Sequence, residues 1–220
     1  MRSLRFALIA ASFVASTAFA SPTAPTNGVE YVTLAQPQPV QASGKKVEVI
    51  EFFMYHCPHC NALEPMFEQW VKKQGDNIVL RRIHIPAGGP ADPEAHLYLT
   101  LEAMGKVEQM HAKVFKAIHV DRVRLNRDDT IIDWAAKNGL DRKAFTDAWN
   151  SFGVTTKLRR LQQLTTDYKV DGAPTIVIDG KYQTSPAQVY NSTKSGNEQQ
   201  LFQQTLQVMD ALVAKAAKTK

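Results

Sequence analysis

The chain has few cysteines: Cys57 and Cys60 are the only two among its 220 residues. Two cysteines three positions apart close a loop too short to stabilise the fold appreciably. This excludes a small protein held together by disulfides, and an apolar content of 44% is enough to build a core without them. The pair is therefore available for chemistry.

Long apolar runs and a large net charge are also missing. The apolar run at residues 6–15 is too short to span a bilayer, and no later stretch approaches the required length. The formal charge is +5, which falls to +3 if a leader carrying Arg2 and Arg5 is removed. A charge this small and evenly spread argues against a nucleic-acid partner.

Residues 1–20 have the three-part pattern of a signal peptide. Arg2 and Arg5 form a positive start, residues 6–15 an apolar centre, and residues 18–20 a small-residue cleavage site. The alternative is a short buried helix, which would leave the charge and cleavage pattern without a cause. We therefore predict export of a soluble protein, residues 21–220, into an oxidising compartment.

The cysteine pair follows a strand pattern and opens a helix pattern. Residues 47–53 are almost wholly apolar, as in a central strand, and apolar residues recur at helical spacing from Leu63 to Trp70. A second strand is predicted at residues 78–85. The sequence thus predicts a strand, a helix and a strand, with the two thiols at the amino terminus of the helix.

Beyond the break at residues 86–90 the periodicity becomes helical and no strand pattern appears over residues 91–150. A further helix is predicted from Leu158 to Tyr168. The segment 175–178 and the turn Asp179–Gly180 predict a hairpin, and Asn197 caps a final amphipathic helix. These patterns indicate an α/β protein interrupted by helices.

A C-x-x-C pair at this position favours redox chemistry. Unpaired N–H groups and the helix dipole stabilise a thiolate at the helix start, so Cys57 is predicted to be the exposed nucleophile. Cys60, one turn further, is predicted to be the buried resolving thiol. Pro58 suits the first turn because its missing N–H would have no partner there.

His59 is predicted to stabilise the Cys57 thiolate. Stabilising the thiolate stabilises the reduced dithiol, which makes the disulfide a stronger oxidant. Each pKa unit corresponds to about 1.4 kcal/mol, and about 30 mV is the same energy for a two-electron couple. A zinc site using Cys57, Cys60 and a neighbouring histidine is the competing interpretation, but the sequence offers no complete set of four ligands.

The segment EFFMYHCPHC, residues 51–60, resembles the active-site segment of DsbA-type thiol:disulfide oxidases. The resemblance extends over essentially the whole chain after the leader. It implies a thioredoxin-like fold with an inserted all-helical domain. We expect the thioredoxin-like domain at residues 21–86 and 151–220, and the helical insertion at residues 87–150. A low pKa of the first cysteine is a known property of DsbA.

The resemblance also assigns roles to four further residues. Pro174 matches the cis-proline that faces the redox pair and presents backbone to a substrate strand. Ala173, before it, departs from the Val or Thr that is frequent in the family. Glu51 and Arg82 match a buried acid and its basic partner, which implies a relay for the Cys60 proton, although a purely structural salt bridge is the alternative.

The function implied is oxidation of reduced, newly exported proteins in a bacterial periplasm. The resemblance further implies reoxidation by a membrane partner of the DsbB type and no bound cofactor or metal, and we expect a monomer. An isomerase or reductase of the same fold is one alternative. A periplasmic peptide-binding holdase with a vestigial Cys57–Cys60 disulfide is another.

Overall fold

The computed structural model describes residues 21–220, so the predicted leader at residues 1–20 lies outside the described part. The strands are β1 (Val32–Thr33), β2 (Val47–Phe53), β3 (Ile78–His84), β4 (Thr175–Ile178) and β5 (Tyr182–Thr184). The helices are α1 (Pro58–Gln74), α2 (Pro93–Ala103), α3 (Val107–His119), α4 (Asp128–Lys137), α5 (Arg142–Trp149), α6 (Phe152–Asp167), α7 (Pro186–Thr193) and α8 (Glu198–Ala217).

The five strands form one mixed sheet in the order β1-β5-β4-β2-β3. β2 and β3 are parallel and joined through α1, whereas β2–β4, β4–β5 and β5–β1 are antiparallel. All seven residues of β2 are buried, as the apolar pattern predicted for a central strand. The carboxyl end of β2 leads directly to the cysteine pair.

The alternation of side chains along the sheet divides the core into two. On one face Ile50, Phe52 and Val177 belong to an apolar cluster that extends through the helices between Pro93 and Asp167. On the other face the apolar residues of β2 and β4 pack with α1 and α8. The start of α1 is therefore held between two well-packed layers.

The hairpin between β4 and β5 has the predicted turn. Asp179 and Gly180 both have positive φ, 53° and 62°, as a type I′ turn requires. A side chain at Gly180 would also overlap the backbone carbonyl of Gln38. The two residues are held together because the Gln38 N–H donates to the Gly180 carbonyl at 2.8 Å. Both the turn and the close approach of the backbone require glycine here.

The helices α2 to α5 lie between β3 and α6 in the sequence. Asp92 caps α2 by accepting a hydrogen bond from the Ala95 N–H at 2.8 Å. The helix α6 follows the predicted end of the insertion but packs against α2, which lies inside the insertion. The domain boundary at residue 150 therefore stays a prediction. Among residues 21–220 no helix is long and apolar enough to cross a membrane.

One helix was not anticipated from the sequence. α7 begins after Ser185, whose hydroxyl accepts from the Gln188 N–H at 3.1 Å, with Pro186 at the first helical position. The Ser-Pro start is a recognisable signal, but the eight residues that follow have too little apolar periodicity to predict a helix.

Candidate active site

The redox motif sits at the junction of β2 and α1. Cys57 is the N-cap residue of α1, with extended backbone angles, and Pro58 is the first helical residue. The Cys57 N–H donates to the Met54 carbonyl at 3.1 Å, and the Cys57 carbonyl accepts from the Asn61 N–H at 3.1 Å. The N–H groups of His59 and Cys60 in the first turn favour a thiolate at Cys57.

Both cysteines are thiols, and both are buried. Cys60 is fully enclosed, as predicted, but Cys57 is only 6% exposed, so the prediction of an exposed nucleophile is wrong in degree. The cause is the loop before β4, since Cys57 Sγ donates to the Ala173 carbonyl at 3.4 Å. The Ala173–Pro174 peptide bond is cis, as the resemblance implied.

The surroundings of the pair drive the two thiol pKa values apart. A hydrogen bond from the Cys60 thiol is the largest cause that lowers the pKa of Cys57, helped by the backbone N–H groups of Cys60 and His59, to about 6. The same hydrogen bond, together with burial, raises the pKa of Cys60 far above its ordinary range. One thiolate and one thiol therefore share the reduced site.

His59 contributes less than the sequence suggested. Its charge helps to lower the Cys57 pKa, but it ranks after the Cys60 thiol and the backbone N–H groups. The reason is that His59 Nδ1 donates to Glu198 Oε1 at 2.6 Å, which directs this nitrogen to the first residue of α8. No local pattern predicts this contact, because it joins residues 139 positions apart.

Side chains also hold the segment before the motif. The Tyr55 N–H donates to His84 Nε2 at 3.0 Å, and His119 Nε2 donates to the Tyr55 carbonyl at 2.7 Å. Glu94 Oε2 accepts from both the N–H and Nδ1 of His56, at 3.1 and 2.7 Å. β3 and the inserted helices α2 and α3 thus fix the backbone that leads into Cys57.

The predicted pair of Glu51 and Arg82 is present and has a third member. Arg82 Nε donates to Glu51 Oε2 at 2.8 Å, and its Nη2 donates to Glu64 Oε1 at 2.6 Å. Burial raises the pKa of each glutamate to about 7. Sequence analysis missed Glu64, although its position one turn after Cys60 on α1 is a signal that was available.

This ionic cluster reaches the inserted helices. His111 Nε2 on α3 lies 3.5 Å from Glu64 Oε1, and its Nδ1 is 2.9 Å from the Tyr55 hydroxyl. Burial lowers the pKa of His111 to about 3, so the ring is neutral. Buried polar groups therefore lie close together from Arg82 through Glu64 to His111 on α3.

A groove of about 600 Å³ opens beside the motif. Its wall is formed by the cis-proline loop, α7 and the start of α8, and it includes His59, Ala173, Pro174, Tyr190 and Glu198. In residues 21–220 no group of three or more His, Cys, Asp or Glu side chains is arranged to hold a metal ion. The groove is thus bounded by His59 of the motif and by Ala173, whose carbonyl contacts Cys57 Sγ.

Comparison with known proteins agrees with this geometry. The family model for a DSBA-like thioredoxin domain matches residues 91–198. The thiol:disulfide interchange protein DsbA of Burkholderia cepacia is 40% identical over 206 residues, which cover 94% of this chain and 92% of that protein. This chain belongs to the DsbA family. The DsbA of Bordetella parapertussis is similar at 37% identity, with 96% of both chains covered.

Solved DsbA structures have the same architecture. The crystal structure of Pseudomonas aeruginosa DsbA is 34% identical and aligns with a TM-score of 0.77, over 89% of this chain and 97% of that one. The protein is therefore a thiol:disulfide oxidoreductase with a thioredoxin-like fold that carries additional helices. The fold and activity implied by the sequence resemblance are confirmed.

The pKa of Cys57 predicts an unusual alkylation profile for this member of the DsbA family. We expect reduced protein to react with iodoacetamide at Cys57 alone, with a rate that is half-maximal near pH 6, because the reactive species is the thiolate. Stopped-flow alkylation between pH 3 and 10 measures this. A midpoint between pH 8 and 9, the range of an ordinary thiol, would contradict it, and C57S serves as the unreactive control.

Proposed function

We propose that this protein oxidises newly exported proteins by transferring its Cys57–Cys60 disulfide to them. The observation that supports this most directly is the separation of the two thiol pKa values within one motif. A low pKa makes Cys57 a good leaving group and stabilises the reduced product. Both effects favour giving the disulfide away.

The transfer takes two exchange steps. A substrate thiolate attacks the Cys57 sulfur of the disulfide, forming a mixed disulfide and releasing Cys60 as a thiolate that takes up a proton. A second substrate thiolate then attacks the substrate sulfur of the mixed disulfide and expels Cys57 as a thiolate. The substrate dithiol loses two electrons and two protons. The enzyme disulfide gains the two electrons, one proton goes to Cys60, and the other goes to the solvent because Cys57 stays a thiolate.

The proton for Cys60 is proposed to pass through the cluster of Glu51, Glu64 and Arg82. Burial holds the pKa of both glutamates at about 7, so near neutral pH one of them can hold a proton beneath the motif. Arg82 bridges the two carboxylates and prevents both from becoming uncompensated charges. Cys60, with its raised pKa, is the group that requires this proton.

The substrate is proposed to bind along the cis-proline loop. The Ala173 carbonyl, 3.4 Å from Cys57 Sγ, faces the reacting sulfur, and the groove beside Pro174 is open to an extended chain. An extended substrate pairing with this loop would present its cysteine to Cys57. The small Ala173 side chain leaves more room here than the Val or Thr frequent in the family.

The setting of the reaction is proposed from the family. We place the protein in the periplasm, exported by the leader at residues 1–20, and acting as a monomer on reduced exported proteins. Reoxidation by a membrane protein of the DsbB type would complete the cycle. The disulfide Cys57–Cys60 is the only redox group needed, so no other cofactor is invoked.

The redox equilibrium with glutathione tests the direction of transfer. The pKa of Cys57 is lowered from 9.0 to about 6. The thiolate therefore stabilises the folded reduced protein fully above pH 9, and this stabilisation is lost as pH falls through 6. We expect a potential near the value of about −120 mV typical of DsbA, rather than the value of about −270 mV typical of thioredoxin. A thioredoxin-like value, measured from tryptophan fluorescence in glutathione buffers, would favour a reductase instead.

A further inference from the structure

Each histidine in the active-site motif is paired with a glutamate from a distant part of the chain. His56 Nδ1 lies 2.7 Å from Glu94 Oε2, and His59 Nδ1 lies 2.6 Å from Glu198 Oε1. Glu94 is in the first turn of α2, and Glu198 is the first residue of α8. The residue before Cys57 and the second residue after it are thus each tied to a separate helix.

Glu94 makes the more enclosed of the two contacts. Its side chain is 13% exposed, and the oxygen that binds the His56 ring also accepts the His56 N–H at 3.1 Å. The buried His84 Nε2 lies 3.9 Å from the same oxygen, and the Asp92 carboxylate adds to the negative potential at His56. The contact therefore fixes both the charge and the backbone next to Cys57.

The Glu198 contact is more open, with exposed fractions of 67% for the His59 side chain and 47% for Glu198. It lies at the wall of the groove that also contains Ala173 and Pro174. Asn197 caps α8 immediately before it, so Glu198 is held in the first turn, where a carboxylate is favoured.

We propose that Glu94 and Glu198 are positioning residues that weaken the oxidising strength of the protein. Their negative charges counteract the positive charges of the histidines on either side of Cys57. The inference rests on the proposed role of Cys57 as the nucleophile. It assigns to two helices outside the redox motif a part in setting the stability of the thiolate.

The direction follows from the charge of each pair. A charged glutamate with a protonated histidine has zero net charge, and with a neutral histidine it has one negative charge. If glutamine replaces the glutamate, the net charge lies between zero and plus one. Glutamine also lets the histidine lose its proton more easily, which removes part of this gain near neutral pH. At and below about pH 6, where Cys57 titrates, an imidazole with a reference pKa of about 6.5 stays largely protonated, so there the change favours the Cys57 thiolate.

The coupling between Cys57 and His56 supports this argument. The hydrogen bond with Glu94 is the largest cause that raises the pKa of His56, and the negative charge of Cys57 raises it further. Coupling between two sites is reciprocal, so a charged His56 favours the thiolate by the same amount. Glu94 acts in two directions, because it favours the charged form of His56 and also adds a negative charge that opposes the thiolate.

The test compares E94Q, E198Q and the double variant with the wild-type protein. We expect each single change to shift the glutathione equilibrium about twofold to fivefold toward a stronger oxidant, as for partly exposed ion pairs, and the double variant to shift it further. The Cys57 thiolate absorbance should titrate at a lower pH in each variant. E108Q removes the same charge from an exposed residue on α3. It lies about 16 Å along the helix from His119, the residue of α3 that contacts the segment before the motif, so E108Q should change neither the glutathione equilibrium nor the thiolate titration.

Two outcomes would overturn the inference. One is an unchanged or higher Cys57 pKa in the double variant while its thermal unfolding matches the wild type. The other is equal Cys57 pKa values in H59Q and H59Q/E198Q, since unpaired Glu198 should raise the value in H59Q alone. If C57S kept oxidase activity, the proposed function itself would fail, and this result is separate from either outcome.

Discussion

C57S is expected to abolish oxidation of a reduced substrate protein, with a loss of more than about a thousandfold in rate. Serine lacks the sulfur that receives the substrate thiolate, and its hydroxyl cannot form a disulfide. Cys60 cannot replace it, because Cys60 is fully buried, and burial still raises its pKa when the Cys57 sulfur is absent. Oxidative refolding of a reduced ribonuclease, followed by recovered activity, measures the loss.

C60S is the matched control for this experiment. It retains Cys57 and its position at the helix start, but it lacks the thiol that closes the disulfide. We expect C60S to be inactive as a catalyst of oxidation and yet to form a stable mixed disulfide with glutathione, which C57S cannot. If C57S kept a tenth or more of the wild-type rate, the protein would act as a holdase and not as an oxidase.

R82M is expected to lower the free energy of unfolding by about 3–5 kcal/mol at pH 8, because it leaves two buried carboxylates without a counter-charge. Arg82 donates hydrogen bonds to both Glu51 and Glu64, and the side chains of all three are largely buried. Methionine retains much of the side-chain volume, so the loss measures charge more than packing. Urea denaturation of the oxidised protein at several pH values provides the measurement.

The pH dependence gives this prediction its sign. The pKa of Glu51 and of Glu64 is raised from 4.5 to about 7, so the folded state favours their protonated forms. The stability they contribute is fully present below pH 4.5 and is lost as pH rises through 7. Removing Arg82 raises both values further. The deficit of R82M should therefore shrink from pH 8 to pH 4.5, where both carboxyl groups are protonated in the folded form of the wild type and of the variant.

Arg81 provides the control on the same strand. It is only partly buried and forms no salt bridge within residues 21–220, so R81M should change the unfolding free energy by less than about 1 kcal/mol. A loss in R82M equal to that in R81M, or one independent of pH, would show that the buried glutamates are not held by Arg82. The proposed proton relay would then lose its basis.

Local patterns were sufficient for the features that depend on neighbours in sequence. The apolar run of β2 followed by C-x-x-C predicted the strand, the helix start and the position of the thiols. The Asp179–Gly180 turn predicted the hairpin, because positive φ angles at both positions restrict the choice of residues. α7 was missed, since its short sequence lacks the periodicity that marked the longer helices.

Local sequence patterns were enough to establish the redox chemistry, the α/β class and the order of the two cysteines, because helix geometry relates residues three positions apart. Three contacts became visible only in the folded molecule: Ala173 covers Cys57, Glu64 joins Arg82, and Glu198 binds His59. Such contacts follow from how helices dock on a sheet, and no local periodicity encodes which side chains then meet. The charge that surrounds the reactive sulfur is therefore a property of the packed molecule.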